Sequence, residues 1–296
     1  MLKYPEVKRA WIVGDIHLGI RAASMDWFDI SKIYFEQYLL PLIEKNYKEG
    51  DVLIQLGDLF ENRQTINLKF NSYAIEIFQR IGKILPVFII CGNHDIYYKK
   101  TNEVTSLDSI KYIPNIYLFK QPEMIKFGKT DCLMMPWRAD YKEEGETLDQ
   151  FPNAEFVFCH SEMQGVMLNR KSVQHEGTKV SKFKNYRRVY SGHIHYSQTV
   201  KNVVMVGNAY QMTRSDHNNP LSEHLIMNKS IITRSRNVNS LNRLRNLLSR
   251  LSINSQLFSA EIKRASAESK HKTKNRNIFH HQLLTNDQGQ EHYKPA

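Results

Sequence analysis

Five short patches of the chain carry side chains suited to holding divalent cations. They are Asp15-Ile16-His17, Gly57-Asp58, Gly92-Asn93-His94-Asp95, His160 and Gly192-His193-Ile194-His195. Together they offer carboxylate oxygens, one amide oxygen and several imidazoles, a mixture that suits manganese, iron or zinc better than magnesium or calcium. A two-metal hydrolase keeps its ions about 3.5–4 Å apart, so one carboxylate bridges them while water or hydroxide attacks phosphorus in line. Asp58, alone after an apolar run, suits the bridge. Asp15 and His17 stand two apart and can turn toward one ion, while Asn93 adds a neutral oxygen that preserves Lewis acidity. His160, His193 and His195 complete the shell. His94 stands between a ligand and Asp95; its imidazole is of the kind that protonates a leaving alkoxide, with Asp95 as the group that orients it. Taken singly, an Asp-x-His pair is more often a surface or capping pair than a ligand pair, and Gly-Asn-His-Asp is an ordinary turn. The number and order of the patches, each just past a strand-like run, decide for a metal site.

The elements that must position these residues are legible from the apolar pattern. Residues 10–14, 52–56, 87–91, 132–135, 156–159, 189–191 and 203–206 are short, nearly continuous apolar runs, as expected of strands buried on both faces. Residues 31–48 and 66–81 show apolar side chains at helical spacing between the first three of these runs. Such alternation predicts an α/β sheet with helices on its faces and ligands beyond the strand ends. Residues 114–137, with turn residues at Gln121-Pro122 and Gly128-Lys129, read as an antiparallel meander that begins a second half-sheet. The expected fold is a two-sheet β-sandwich flanked by helices, with the site at the sheet tops.

Composition bounds the rest. With 41% hydrophobic and 24% charged residues among 296, the chain has the make-up of a globular protein. No apolar run reaches the roughly 20 residues of a membrane span, and the first six residues show no leader, so a cytoplasmic address is expected. Cys91, Cys132 and Cys159 lie in apolar runs and read as reduced core residues. The net charge of +11 is concentrated in residues 221–296, which hold 13 Lys and Arg against 5 Asp and Glu. The expected division is therefore a catalytic domain over 1–220 and a basic, partly disordered tail over 221–296. Within the tail, residues 238–251 form a basic amphipathic pattern, either a helix that docks a partner or DNA, or a transient helix in a poorly ordered segment.

The series Asp15-x-His17, Gly57-Asp58-x-x-x-Asn62-Arg63, Gly92-Asn93-His94-Asp95, His160 and Gly192-His193-x-His195 resembles the calcineurin-like metallophosphoesterase superfamily over roughly residues 10–210. Within it, His17-Leu18-Gly19 and Gly57-Asp58-Leu59-Phe60 look like the SbcD-type DNA nuclease subunits. The N-terminal half, with Ile20-Arg21 after His-Leu-Gly, is most similar to the versions of large tailed phages. The resemblance implies that Asp15, His17, Asp58 and His195 bind one metal, that Asp58, Asn93, His160 and His193 bind the other, and that His94 is the catalytic histidine. It also implies a manganese-dependent exonuclease and endonuclease, working as a homodimer with an SbcC-type SMC-like ATPase in DNA recombination and repair. Two departures stand out. Glu61 occupies the position where cellular members usually carry a histidine, and the 76 residues after Pro220 do not match the family's capping and partner-binding segments in full.

DNA contacts are expected from Arg21, beside the first motif, and from Lys182, Lys184, Arg187 and Arg188. The last four belong to a basic run over 179–188, interleaved with Phe183 and Tyr186, that immediately precedes Gly192-His193. A solvated charged loop is the competing reading of that run. Two rival functions share the fold: a phosphatase or small-molecule phosphodiesterase, and a catalytically silent scaffold. The stretch from Gly57 to Arg63 departs from the Gly-Asp-x-Val-Asp-Arg-Gly pattern of the protein phosphatases, and no ligand position is lost as a scaffold would predict.

Overall fold

Alternate residues of the strand Arg9–Val13 serve two different cores, and that alternation organises the molecule. Trp11 and Val13 pack with Leu53, Val87 and Ile89 against helices. Ala10 and Ile12 pack with Val52, Ile54, Phe88 and Ile90 against Phe127, Met134, Phe158 and Val204 of a second sheet. A strand buried on both faces disfavours polar residues, which is why these runs are nearly continuously apolar. The computed structural model describes residues 1–213 except Pro5, together with Asp216 and the backbone of the strand His224–Met227.

One sheet has five strands in the order His224–Met227, Arg9–Val13, Asp51–Gln55, Val87–Ile90 and Ile116–Phe119. All neighbours run parallel except His224–Met227, which is antiparallel to Arg9–Val13. The other sheet has seven, in the order Leu2–Tyr4, Glu123–Phe127, Thr130–Met135, Phe156–Cys159, Arg188–Ser191, Val203–Met205 and Gln198–Val200. Its outer face buries Leu133, Met135, Val157, Cys159 and Val189 with Leu148 of the helix Tyr141–Gln150. The architecture is thus a two-sheet α/β sandwich flanked by helices.

The helix Leu68–Gly82 buries Phe70, Tyr73, Ala74, Ile77, Phe78 and Ile81, the stripe that its sequence spacing predicts. Asn67 caps it, its side-chain oxygen accepting the Lys69 N–H. Helical structure also runs through Met25–Lys32, a π-turn Ile33–Leu39 and Leu40–Asn46. Pro41 removes one amide from that ladder, and the widened turn ahead of it accommodates the loss. The three cysteines are free and buried, as expected of reduced core residues.

One element differs from the sequence reading. The meander expected over 114–137 is divided between the sheets: Ile116–Phe119 pairs parallel to Val87–Ile90, and only Glu123–Phe127 and Thr130–Met135 form an antiparallel hairpin. The long excursion between residues 90 and 116 supplies the crossover that a parallel neighbour requires, and the chain changes sheets at Gln121-Pro122. The strand His224–Met227 lies past Pro220. The amphipathic run over 238–251 and the remaining tail lie outside the described residues.

Candidate metal centre

The ligand-type side chains emerge where the strands stop. Arg9–Val13 leads into Asp15 and His17, Asp51–Gln55 into Asp58, Val87–Ile90 into Asn93 and His94, Phe156–Cys159 into His160, and Arg188–Ser191 into His193 and His195. Adjacent parallel strands end together, so their C-terminal loops converge. The backbone bends sharply to aim them: His17, Asp58 and His193 have φ of 53°, 53° and 74°, left-handed values uncommon outside glycine. Strained backbone of this kind persists where surrounding structure enforces it, typically at functional sites.

The side chains close on one another. Asp58 Oδ2 lies 3.6 Å from His17 Nε2 and 3.3 Å from His160 Nε2, between the two groups of ligands. On one side, Asp15 Oδ2 is 3.7 Å from His195 Nε2, which is 3.3 Å from His17 Nε2. On the other, Asn93 Oδ1 is 3.0 Å from His160 Nε2 and 2.8 Å from His193 Nδ1. His160 Nδ1 donates to the Leu56 carbonyl at 2.7 Å, which turns the Nε2 lone pair toward Asp58 and Asn93. Trp137 lies beside His193, ring centroids 4.8 Å apart and planes tilted by 35°, and packs against that imidazole.

Several features fit a pair of cations. Lone-pair atoms face one another across the centre, and Asp15 Oδ2 is buried with no hydrogen-bond partner among the described residues. Three ligand-type groups of three gather within 4.8 Å: Asp15, His17 and His195; His17, Asp58 and His94; and Asp58, His160 and His193. Glycines keep the space clear. A Cβ on Gly92 would lie 2.2 Å from Asp58 Oδ1, and one on Gly192 would lie 2.6 Å from Asp15 Oδ1. Divalent ions bound here supply Lewis acidity and an acidified water.

Electrostatics follow from burial and from the crowding of carboxylates. Burial opposes charge on His17 and His160, yet the Glu61 hydrogen bond with Asp58 and Asp15 lifts His17 to about 9, and Asp58 and Asp15 lift His160 to about 9. Asp58, despite its burial, is held well below the usual carboxylate range by His160, His17 and His94. Burial, then the charge of His160, lowers His193 to about 3, leaving a neutral imidazole ready to coordinate. Asp15 is raised by burial and by Asp58.

His94 is half-buried beside this centre, its N–H donating to Asp58 Oδ1 at 2.7 Å. Its Nδ1 donates to the Glu61 carbonyl oxygen at 2.7 Å, which leaves Nε2 as the free ring nitrogen. The sequence reading gave the orienting role to Asp95; in the structure the Glu61 carbonyl holds the ring. Asp95 is fully buried and accepts the N–H groups of Phe60 and Gly92, fixing the two loops that carry Asp58 and Asn93. Burial and the nearby Asp58 charge push its carboxyl up to about 7.

Two further carboxylates stand behind the histidines, Glu61, which the sequence marks only as a departure from a family histidine, and Asp216, which it does not mark. Glu61 Oε2 lies 2.7 Å from His17 Nδ1, and Asp216 Oδ2 lies 3.7 Å from His195 Nδ1. Outer carboxylates of this kind set the tautomer and direction of ligating histidines. Asp216 belongs to no recognisable motif, and Glu61 lies within one without a role of its own there, so only their contacts reveal what they do.

The expected DNA contacts are dispersed. Arg21, exposed in the loop after His17, lies 3.3 Å from the Met212 carbonyl oxygen. Lys182 pairs with Asp149 at 2.7 Å, and Lys184 is the exposed C-cap of the short turn Val180–Phe183. Arg187 pairs with Glu155 and lies over the Phe156 ring. Arg188 opens the strand Arg188–Ser191, whereas His193 and His195 follow its other end. The strand separates its ends by roughly 10 Å. Sequence proximity to Gly192-His193 therefore placed Arg187 and Arg188 on the wrong side of the strand.

A calcineurin-like phosphoesterase domain matches residues 8–197. The chain belongs to that family of phosphoesterases. Exonuclease subunit 1 of Enterobacteria phage T4 is 29% identical over 213 residues, covering 70% of this chain and 61% of that protein. The chain thus spans less than two thirds of that relative's length. The putative phosphoesterase 244L of Invertebrate iridescent virus 6 is 23% identical over 209 residues, covering 67% of this chain and 69% of that one. Among solved structures, nuclease MPE of Pseudomonas putida aligns with a TM-score of 0.32 and 16% identity, covering 74% of this chain and 84% of that one.

Proposed function

We propose that the chain is a manganese-dependent DNA nuclease, the nuclease subunit of an SbcCD-like recombination and repair complex of phage type. Two metals bind with Asp58 between them, Asp15, His17 and His195 on one side and Asn93, His160 and His193 on the other. The observation that carries the reading is His94, set beside Asp58 with its Nδ1 tied to a carbonyl and its other nitrogen free. That free Nε2, when protonated, hands its proton to the oxygen that leaves phosphorus. Similarity to a phage protein named an exonuclease subunit favours DNA over a small phosphate ester, and the word subunit favours a partner. The partners proposed are DNA, an SbcC-type SMC-like ATPase and a second copy of the chain, in the host cytoplasm. Among the described residues no helix is long and apolar enough to cross a membrane.

The test is cleavage of labelled single-stranded and duplex DNA in manganese or magnesium, with and without the ATPase. Manganese-dependent cleavage is expected, and His94→Ala abolishes it while metal content stays at two per chain. Full cleavage by His94→Ala overturns the role of His94. Hydrolysis of p-nitrophenyl phosphate in preference to its bis ester, with DNA left intact, would point instead to a phosphatase.

A further inference from the structure

The metal centre opens past His94 into a groove of 760 Å³, walled by residues 18–23, 60–70 and 94–99. Its chemistry is that of an anion site. Arg63 is half-buried on its wall and Lys99 stands exposed at its edge, and neither has a carboxylate partner among the described residues. An arginine drawn partly out of water without a counter-charge is held at a cost that an incoming anion relieves. Glu61 is the one carboxylate among the lining residues, and it is engaged with His17. The wall is also built under strain: Arg21, Ala22 and Ala23 hold φ of 58°, 55° and 59°, three successive left-handed residues, with Ala22 and Ala23 lining the groove.

An aromatic surface stands at the mouth. Tyr97 is 43% exposed and Tyr98 52%, their rings set edge to face with centroids 4.9 Å apart. The Tyr97 N–H donates to the Val104 carbonyl oxygen and Ile96 bridges to Thr105, so the backbone beneath the ring is anchored. An exposed ring on anchored backbone beside cations is how proteins hold unpaired bases: the ring takes a base face and the cations take the backbone.

We propose that this groove receives a single-stranded segment continuous with the strand being cut, with one base on Tyr97 and its phosphates on Arg63 and Lys99. The proposal deepens the nuclease reading and rests on it, but its test is separate. Dye-labelled oligothymidylate is titrated into the full chain in chelator, and binding is read by fluorescence anisotropy across a salt series. Calorimetry confirms that each variant still takes up two Mn²⁺ and is therefore folded. Tyr97→Ala is expected to weaken binding by about fivefold or more, whereas Tyr97→Phe retains wild-type affinity. Arg63→Ala and Lys99→Ala are each expected to lower the slope of log affinity against log salt by about 0.7. On an oligomer of abasic sites, Tyr97→Ala should have no effect. Oligothymidylate affinity unchanged by Tyr97→Ala, or equal losses on the abasic strand, overturns the stacking role. Unchanged salt slopes overturn the phosphate contacts. Because no cleavage is required, strand binding can hold while the nuclease reading fails, and the reverse.

Discussion

Glu61 Oε2 lies 2.7 Å from His17 Nδ1, so a carboxylate stands behind an imidazole of the candidate metal centre, on the side away from Asp58. The contact fixes the hydrogen on Nδ1 and leaves Nε2 free toward Asp58. Burial works against charge on Glu61, but the hydrogen bond and charge of His17 keep its carboxyl below the usual range. Glu61→Ala removes the orienting group while the carbonyl that holds His94 remains. Metal affinity is expected to drop by about 10–100-fold, with Glu61→Gln, which retains an accepting oxygen, between the two. Titration calorimetry with Mn²⁺ measures it, and equal affinities for wild type and Glu61→Ala would dispose of the claim.

Asp216 is the corresponding group behind His195, and it also carries a structural load. Its Oδ2 accepts from Asn208 Nδ2 at 3.0 Å and from the N–H groups of Met212 and Thr213 at 3.0 and 2.8 Å. Asp216→Ala leaves these donors without an acceptor and is expected to cost about 1–3 kcal/mol in urea unfolding. Loss of the group facing His195 should weaken Mn²⁺ binding as well. A variant with wild-type stability would show that water replaces the carboxylate.

Gly92 tests how tightly the centre is packed. A Cβ there would sit 2.2 Å from both the N and Oδ1 of Asp58, a clash with backbone that no side-chain rotation relieves. Gly92→Ala is expected to cost about 1–3 kcal/mol and to abolish uptake of two metals per chain. Gly165 provides the contrast. Its φ of 91° disfavours alanine, but nothing lies within 4 Å, so Gly165→Ala pays backbone strain alone and retains both metals. Retention of two metals by Gly92→Ala would contradict the packing described.

What the sequence could reveal about these sites depended on the kind of constraint. Strands such as Asp51–Gln55 were legible because burial on both faces favours apolar residues along their length, here Val52, Leu53 and Ile54. The ligand-type residues were legible because chemistry restricts their types and strand ends restrict their places. Glu61 stood out only as a departure from a family histidine and Asp216 not at all, because their histidine partners lie 44 and 21 positions away in the chain. Arg63 and Tyr97 likewise gain meaning only when three separate loops come together as groove walls. The basic run over 179–188 shows the opposite error. Its charge was visible, but its position at the start of a strand, with His193 beyond the end, was not. Ile116–Phe119 has an apolar pattern compatible with either sheet, and pairing alone assigns it.

Glu144 gives the clearest pH dependence. It lies in the first turn of the helix Tyr141–Gln150, 2% exposed, with Oε1 lacking a hydrogen-bond partner among the described residues. Burial pushes its carboxyl from 4.5 up to about 7, against the pull of the Ser161 and Thr178 hydroxyls and of His160 and Arg138. The folded chain therefore binds this proton more tightly than the unfolded chain. The resulting stabilisation is complete below the unfolded value of 4.5 and is lost as pH rises through about 7. That interval corresponds to about 3 kcal/mol. Glu144→Gln is neutral throughout, so its stability relative to wild type should rise by about 3 kcal/mol between pH 4 and pH 8. Urea unfolding of both proteins in chelator, across that range, isolates the effect, because the other titrating groups are common to the two chains. A difference between them that stays flat with pH would mean that water reaches Glu144 in the folded protein.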